Sequence, residues 1–380
     1  MINNKILLEF IGKRHSLYDS LIKFPPKDYE IISPPEPMSS ESKLNRIYSN
    51  ISRTMPFIPL KLLNSYFNTK NKQYDPYKII YSAGHVNFSS KQWIVDFEYA
   101  THLVGYNELQ FKLYKHIIEK ELKSDRCKYL LPWTIKSKKT IELCFNNMNI
   151  NKKILLLPLA VPTHEIKTKR NNENVKFLFI SSKNFPYDFF NKGGLLVLET
   201  FKQLQLKYNN LELFIRAKIP ANIISNYRDL KNIHILDKIL PTTTYDKLLS
   251  NMDVFLYPCH TTPALAFLDA MSYGLPIITT DVWANPEIVI NNYNGLLIKS
   301  PLTKFIDDRQ IPIWGSKKFI MQSTIINKDL ISKLYNASEI LINDPSLRKK
   351  LGKNGWNEIN NGDHSINRRN NKLKQIFDSL

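Results

Sequence analysis

Short apolar runs rich in Ile, Val, Leu and Phe alternate along the chain with stretches of helical periodicity. That alternation predicts a mostly parallel sheet flanked by helices, an α/β fold. In the first half the runs at 6–11, 78–82, 93–96, 129–133 and 154–157 read as strands. Between 25 and 60 the prolines Pro25, Pro26, Pro34, Pro35, Pro37, Pro56 and Pro59 predict an irregular excursion. A polar segment at 167–174 (KTKRNNEN) reads as a linker. Beyond it the pattern is regular: strands at 175–181, 211–216, 233–236, 254–257 and 277–280, with helices at 194–207, 245–251 and 264–273. The strand, helix, strand order over 175–216 is that of a mononucleotide-binding βαβ unit. The tail from 328 onward reads as helical and ends in an amphipathic helix over 366–380.

At 380 residues the chain exceeds one ordinary core, which predicts two domains: 1–168 and 169–362, followed by a C-terminal helix at 363–380 that returns toward the first. The mean hydropathy of -0.30 and the lack of a long apolar run predict a soluble protein. No secretory leader is read at the start, so a cytoplasmic location is expected. The cysteines Cys127, Cys144 and Cys259 form neither a disulfide framework nor a zinc motif. The formal charge of +19 favours anionic partners. Part of it is local, with 14 Lys or Arg against 6 Asp or Glu between 101 and 170. The stretch 112–139 reads as a basic helix with interleaved Phe111, Tyr114, Ile117, Ile118 and Leu122, a candidate patch for an anionic membrane surface. A solvated basic face fits the same composition.

The segment 253–297 holds the densest candidate chemistry. Thr262 is a candidate N-cap and Pro263 a candidate first helical residue. The free amides of Ala264, Leu265 and Ala266 then suit a diphosphate. Asp269, one to two turns on, is placed to reach a ribose hydroxyl. An ordinary capped helix on its sheet is the competing reading. This segment resembles glycosyltransferase family 4, the retaining group with the GT-B fold, through Tyr257, Pro258 and Cys259, then Asp269, Ala270, Met271, Gly274 and Pro276. Asn285, Pro286 and Glu287, and then Asn294, Gly295 and Leu296, continue the likeness. Where that family carries two Glu residues this chain has Thr261 and Asp269. A second element, 176–201, resembles the family's strand, loop, Lys-Gly step and helix through Lys192 and Gly193, with Ser182 or Lys183 nearest its Arg. The tail 344–360 extends the likeness.

The resemblance implies two Rossmann-like domains facing a central cleft, with the second binding a nucleotide-diphosphate sugar. The diphosphate falls to the helix start at 264–266 and to Lys192, aided by Lys183, Arg216 and Lys218, with Thr261 and Thr262 beside it. Asp269 takes the ribose. In the first half Tyr74, Asp75 and 79–85 resemble the acceptor-domain strand and His-bearing loop, and His85, Asp96, Glu98 and His102 are border residues. Glu98 and His102 are the chosen catalytic candidates beside Lys192 and Asp269. The implied reaction moves a hexose, with retention, to a hydroxyl of a glycan or lipid-linked acceptor. No cofactor is expected beyond the nucleotide sugar as co-substrate. The absence of an Asp-x-Asp motif suits a metal-independent site on the cytoplasmic membrane face. An inactive GT-B binding or scaffold protein is the alternative. Nucleic acid, suggested by charge alone, lacks any recognisable module.

Overall fold

The computed structural model describes residues 4–12, 14–34, 57–70, 72–166, 174–182, 187–227, 229–238 and 240–380. It divides into two compact units: Met1–Leu159 with Asp308–Ile311 and Ile366–Leu380, and Ala160–Asp307 with Pro312–Ser365. The linker read at 167–174 lies, except for Asn174, outside the described residues.

Unit 1 is built on a five-stranded parallel sheet of β1 (Lys5–Glu9), β2 (Glu30–Ile32), β3 (Ile79–Ala83), β4 (Trp93–Phe97) and β5 (Cys127–Pro132). Their spatial order is β2-β1-β3-β4-β5. β3 and β4 are buried almost throughout, because helices cover both faces of a parallel sheet and leave no solvent side for polar alternation. The C-terminal helix Ile366–Asp378 belongs to this unit. It buries Leu373, Ile376 and Phe377 among Ile6, Leu8, Tyr18 and Leu21, each worth about 1.5–3 kcal/mol of apolar burial. Arg369, itself buried, fastens it by donating to Ser20 Oγ at 2.8 Å and to the Phe24 carbonyl at 2.7 Å.

Three expectations for unit 1 need correction. The run at 154–157 is not a strand, because only Ile154 makes a single bridge, to Leu130. The proline-rich excursion contains β2, which two prolines upstream do not prevent since it is a short edge strand. Pro35, Pro37 and Pro56 lie outside the described residues. The basic stretch 112–139 is not one helix. It comprises most of the helix Glu108–Lys123, then β5, then the start of the helix Ile135–Phe145, the apolar run at 129–133 having been claimed by the sheet.

Unit 2 holds a six-stranded parallel sheet of β6 (Val175–Ile180), β7 (Leu211–Arg216), β8 (Ile233–Ile235), β9 (Val254–Leu256), β10 (Ile277–Thr280) and β11 (Gly295–Ile298). The order β11-β10-β9-β6-β7-β8 is the doubly wound arrangement whose chain direction across the sheet reverses between β6 and β9. Ligands bind at such a reversal, outside the carboxyl ends of the strands. β11, which was not read as a strand, takes up Gly295 and Leu296 of the likeness. Its Gly295 allows the close pairing, since a Cβ there would stand 2.4 Å from the Ile277 carbonyl oxygen. Among the described residues no helix is long and apolar enough to cross a membrane.

Candidate active site

At the reversal point of unit 2 the loop after β6 meets the loop after β9. The short helix Asp188–Asn191 leads to Lys192 and then to Gly193, which has φ +80°. A Cβ at Gly193 would stand 2.2 Å from the Pro258 carbonyl oxygen, so only glycine permits both this backbone conformation and this approach. His260 N–H completes the junction by donating to the Asn191 carbonyl at 2.8 Å. The result places Lys192 Nζ 2.8 Å from Thr261 Oγ1, to which it donates.

The helix Ala264–Ser272 starts directly behind this contact. Its start corrects the sequence expectation. Pro263, at φ -89° and ψ 64°, is the cap residue rather than the first helical one. Thr262 does not cap; its hydroxyl is buried without a partner, because the non-helical ψ of Pro263 moves the helix start one residue on. The first backbone bond, Phe267 N–H to the Pro263 carbonyl at 3.2 Å, leaves the first-turn amides of 264–266 ahead of the ladder. Ala264, Leu265 and Ala266 are each partly exposed, not sealed beneath side chains.

Unpartnered buried polar atoms gather at these same strand ends: Ser181 Oγ after β6, Arg216 Nε at the end of β7, and His260 Nδ1 and Thr262 Oγ1 after β9. Buried polar atoms in native proteins are nearly always paired, and those that are not call for an explanation. Burial pulls the His260 imidazole down to about 4, so it is neutral there. The loop itself is rigidly held. Asn285 Nδ2 donates to the Thr280 carbonyl at 3.1 Å and meets Cys259 Sγ at 3.5 Å, and Thr280 Oγ1 donates to the Cys259 carbonyl.

Asp269 sits in a neighbouring cluster rather than against Lys192. Burial first, and the carboxylate of Asp246 second, push it up to about 7. Tyr273 Oη donates to Asp246 Oδ1 at 2.7 Å and stacks on His164 at 4.1 Å. The Tyr245 phenol is raised by burial and then by Asp269, and the Arg216 guanidinium lies 5.7 Å over its ring. Arg216 and Asp269 thus both face Tyr245. Lys218 is exposed two residues beyond β7, with no described contact to Lys192 or Thr261. Lys183 lies outside the described residues. His260, Tyr245 and Asp246 were not singled out from the sequence; His260 stood inside the motif, whereas only the packing of the helix Thr242–Ser250 reveals the other two.

In unit 1 a second polar cluster occupies the carboxyl ends of the strands. Asp96 is buried and accepts from Tyr18 Oη at 2.8 Å and Trp133 Nε1 at 3.0 Å. Burial raises it to about 6 in spite of those bonds. Glu98 accepts from Tyr106 Oη at 3.0 Å, and its N–H donates to His102 Nδ1 at 3.2 Å. The two chosen residues are thus brought together, but through the Glu98 backbone. His85 is fully buried and lies 3.9 Å from Glu9. Glu9 also accepts from Tyr74 Oη at 2.8 Å and Asn87 Nδ2 at 2.5 Å; burial raises its carboxyl, but His85, the Tyr74 bond and the Lys72 charge together hold it below the usual range.

The architecture of two parallel-sheet Rossmann-like units is that of GT-B glycosyltransferases, and residues 174–307 match the family model described as Glycosyl transferases group 1. Together they support a sugar-transferring enzyme. Among solved structures, HepE of Anabaena, determined with UDP-glucose, is similar at 11% identity and TM-score 0.60, covering 99% of this chain and 100% of that one. A glycosyltransferase from Rickettsia africae matches at 12% identity and TM-score 0.60 over 99% and 98%. TarM matches at 17% identity and TM-score 0.55 over 79% of this chain, which spans 54% of the TarM chain. At such identities the likeness bears on fold alone. No curated protein gives a significant sequence match.

Proposed function

We propose that the protein transfers a hexose from a nucleotide-diphosphate sugar to a hydroxyl of a glycan or lipid-linked acceptor, with retention of configuration. The observation that carries this reading is the meeting of Lys192 with Thr261 at the reversal point of the unit 2 sheet, beside a helix start and a set of buried polar atoms awaiting partners. A diphosphate supplies acceptors to the amides of 264–266 and to the Lys192 ammonium. As the sugar departs, negative charge grows on that leaving group, and a fixed cation and oriented amides stabilise it without reorganising. Thr261 contributes a hydroxyl where the resembled family has a carboxylate, so the sugar meets a neutral donor and acceptor there. Asp269 takes the ribose diol through its carboxylate oxygens.

Thermal stabilisation by UDP-, GDP-, ADP- and TDP-sugars tests the proposal. One donor is expected to raise Tm by mass action; no response from any of them removes the donor assignment. The same assay has an expected pH dependence. Asp269 accepts two hydroxyls only when ionised, and the diphosphate of a nucleotide sugar has no proton to lose near neutrality. Donor affinity therefore rises as pH climbs through about 7, by at most about tenfold per unit for one proton released. In the free protein the sign reverses. A carboxyl raised on folding contributes stability below its unfolded pKa, and that contribution is lost as pH rises through the folded value. Asp269→Asn should abolish the pH dependence of affinity.

Leu109 and Leu113 are exposed on the helix Glu108–Lys123 beside exposed Lys112 and Lys120. We propose this face as the site of contact with an anionic membrane surface. Sedimentation with phosphatidylglycerol vesicles is expected to carry the protein down at low salt, and Leu109→Ser with Leu113→Ser to release it; equal sedimentation of that double variant would refute the assignment.

A further inference from the structure

Lys61 lies on the helix Leu60–Thr69 of unit 1. Its Nζ donates to the Gly84 carbonyl at 2.7 Å and to the His102 carbonyl at 2.7 Å. One ammonium thus joins the turn after β3 to the turn after β4. Gly84 has φ +67°, and a Cβ built there would stand 2.3 Å from His102 Nε2. The imidazole therefore rests directly on the Gly84 α-carbon.

The ring is held from its other sides as well. An amide always donates, so the bond from Glu98 N–H to Nδ1 leaves that nitrogen as acceptor and puts the ring proton on Nε2. Tyr106 stacks on the ring at 4.5 Å and Trp133 meets it edge-on at 5.7 Å. Among the described residues, the Glu98 carboxylate accepts a hydrogen bond from the stacked Tyr106. Lys61 faces the Asp96 carboxylate, which also takes the Gly84 N–H. His102 faces Lys61, His85 and His15. Burial first, then Lys61 and the neighbouring imidazoles, hold the His102 imidazole well below its usual range, and burial pulls Lys61 down to about 7.

We propose that Lys61 is a positioning residue for sugar transfer, which clamps the Gly84 and His102 carbonyls so that the His102 imidazole is presented as a single tautomer with its proton on Nε2. This rests on the transfer reading above. An uncharged N–H donor of fixed direction orients a sugar hydroxyl without burying a charge beside it. The lysine Nζ satisfies both carbonyls at once, which no apolar residue of the same length does; losing it takes the side-chain donor from the Gly84 carbonyl and leaves the His102 carbonyl with only the Gly105 N–H.

Long-range ¹H–¹⁵N spectra of the histidine-labelled protein test the clamp independently of turnover, with His102→Gln identifying the signal. The unaltered protein is expected to show the Nε2–H pattern unchanged from about pH 8 to about 5.5, the range over which an unperturbed imidazole titrates. Lys61→Met should lose that single pattern and begin to titrate. Its kcat should fall about 10- to 100-fold, the scale of a small misplacement of a reacting group, with donor affinity unchanged. Gly84→Ala keeps Lys61 but displaces the ring, and should reproduce the spectral change if Lys61→Met does not fold. A Lys61→Met protein with the unaltered tautomer and pH profile overturns the proposal. If no nucleotide sugar supports turnover by the unaltered protein, the transfer reading fails, whereas the spectra still decide the clamp.

Discussion

Lys192→Ala is expected to slow transfer about 100- to 1,000-fold, the usual cost of removing one preorganised charge or donor from a developing anion. The lysine ammonium is held 2.8 Å from Thr261 Oγ1, at the loop junction fixed by Gly193. Its contribution belongs to the transition state more than to binding, because the leaving diphosphate gains charge as the glycosidic bond breaks. The variant should therefore lower kcat far more than it weakens donor affinity. Lys192→Arg should recover part of the rate, since the charge persists while the planar fork replaces a point charge. Release of nucleoside diphosphate, followed at saturating donor, reads both effects. Unchanged kcat in Lys192→Ala would remove the lysine from the chemistry.

The neighbouring glycine should show the largest effect on stability. Gly193→Ala is expected to cost about 3 kcal/mol, combining left-handed strain of order 1–3 kcal/mol with overpacking of similar size. The added Cβ meets the backbone oxygen of Pro258 at 2.2 Å, and a backbone atom has no rotamer by which to yield. Relief requires the two loops to part, which carries Lys192 away from Thr261. Urea unfolding should show the lower midpoint, and the donor-induced rise in Tm should shrink with it. A variant with full stability and full donor response would mean that the loop junction is not the element that places the lysine.

Strand and helix periodicity in unit 2 needed no tertiary information. The strands at 211–216 and 277–280 were read at their observed bounds, because buried parallel strands are continuous apolar runs between polar breaks. Lys192 and Gly193 were read as a pair through the family resemblance. Less legible were elements whose signal is short or ambiguous. β2 offers only three residues among prolines, and the charge-rich run 112–139 was read as one helix across the strand already read at 129–133. The Thr262 reading failed on one backbone angle, the ψ of Pro263, which no residue pattern encodes.

The chain's own pattern determined the α/β class and the presence of a helix after β9, since both follow from local periodicity and turn chemistry, while the lysine-glycine step was read through the family resemblance. The tertiary structure alone decided which of these meet. Lys192 and Thr261 are 69 positions apart, and Lys61 reaches Gly84 and His102 across 23 and 41. Such contacts depend on strand order and on the close approach of two loops at a glycine. Those are properties of the packed sheet, so a local sequence signal does not specify them.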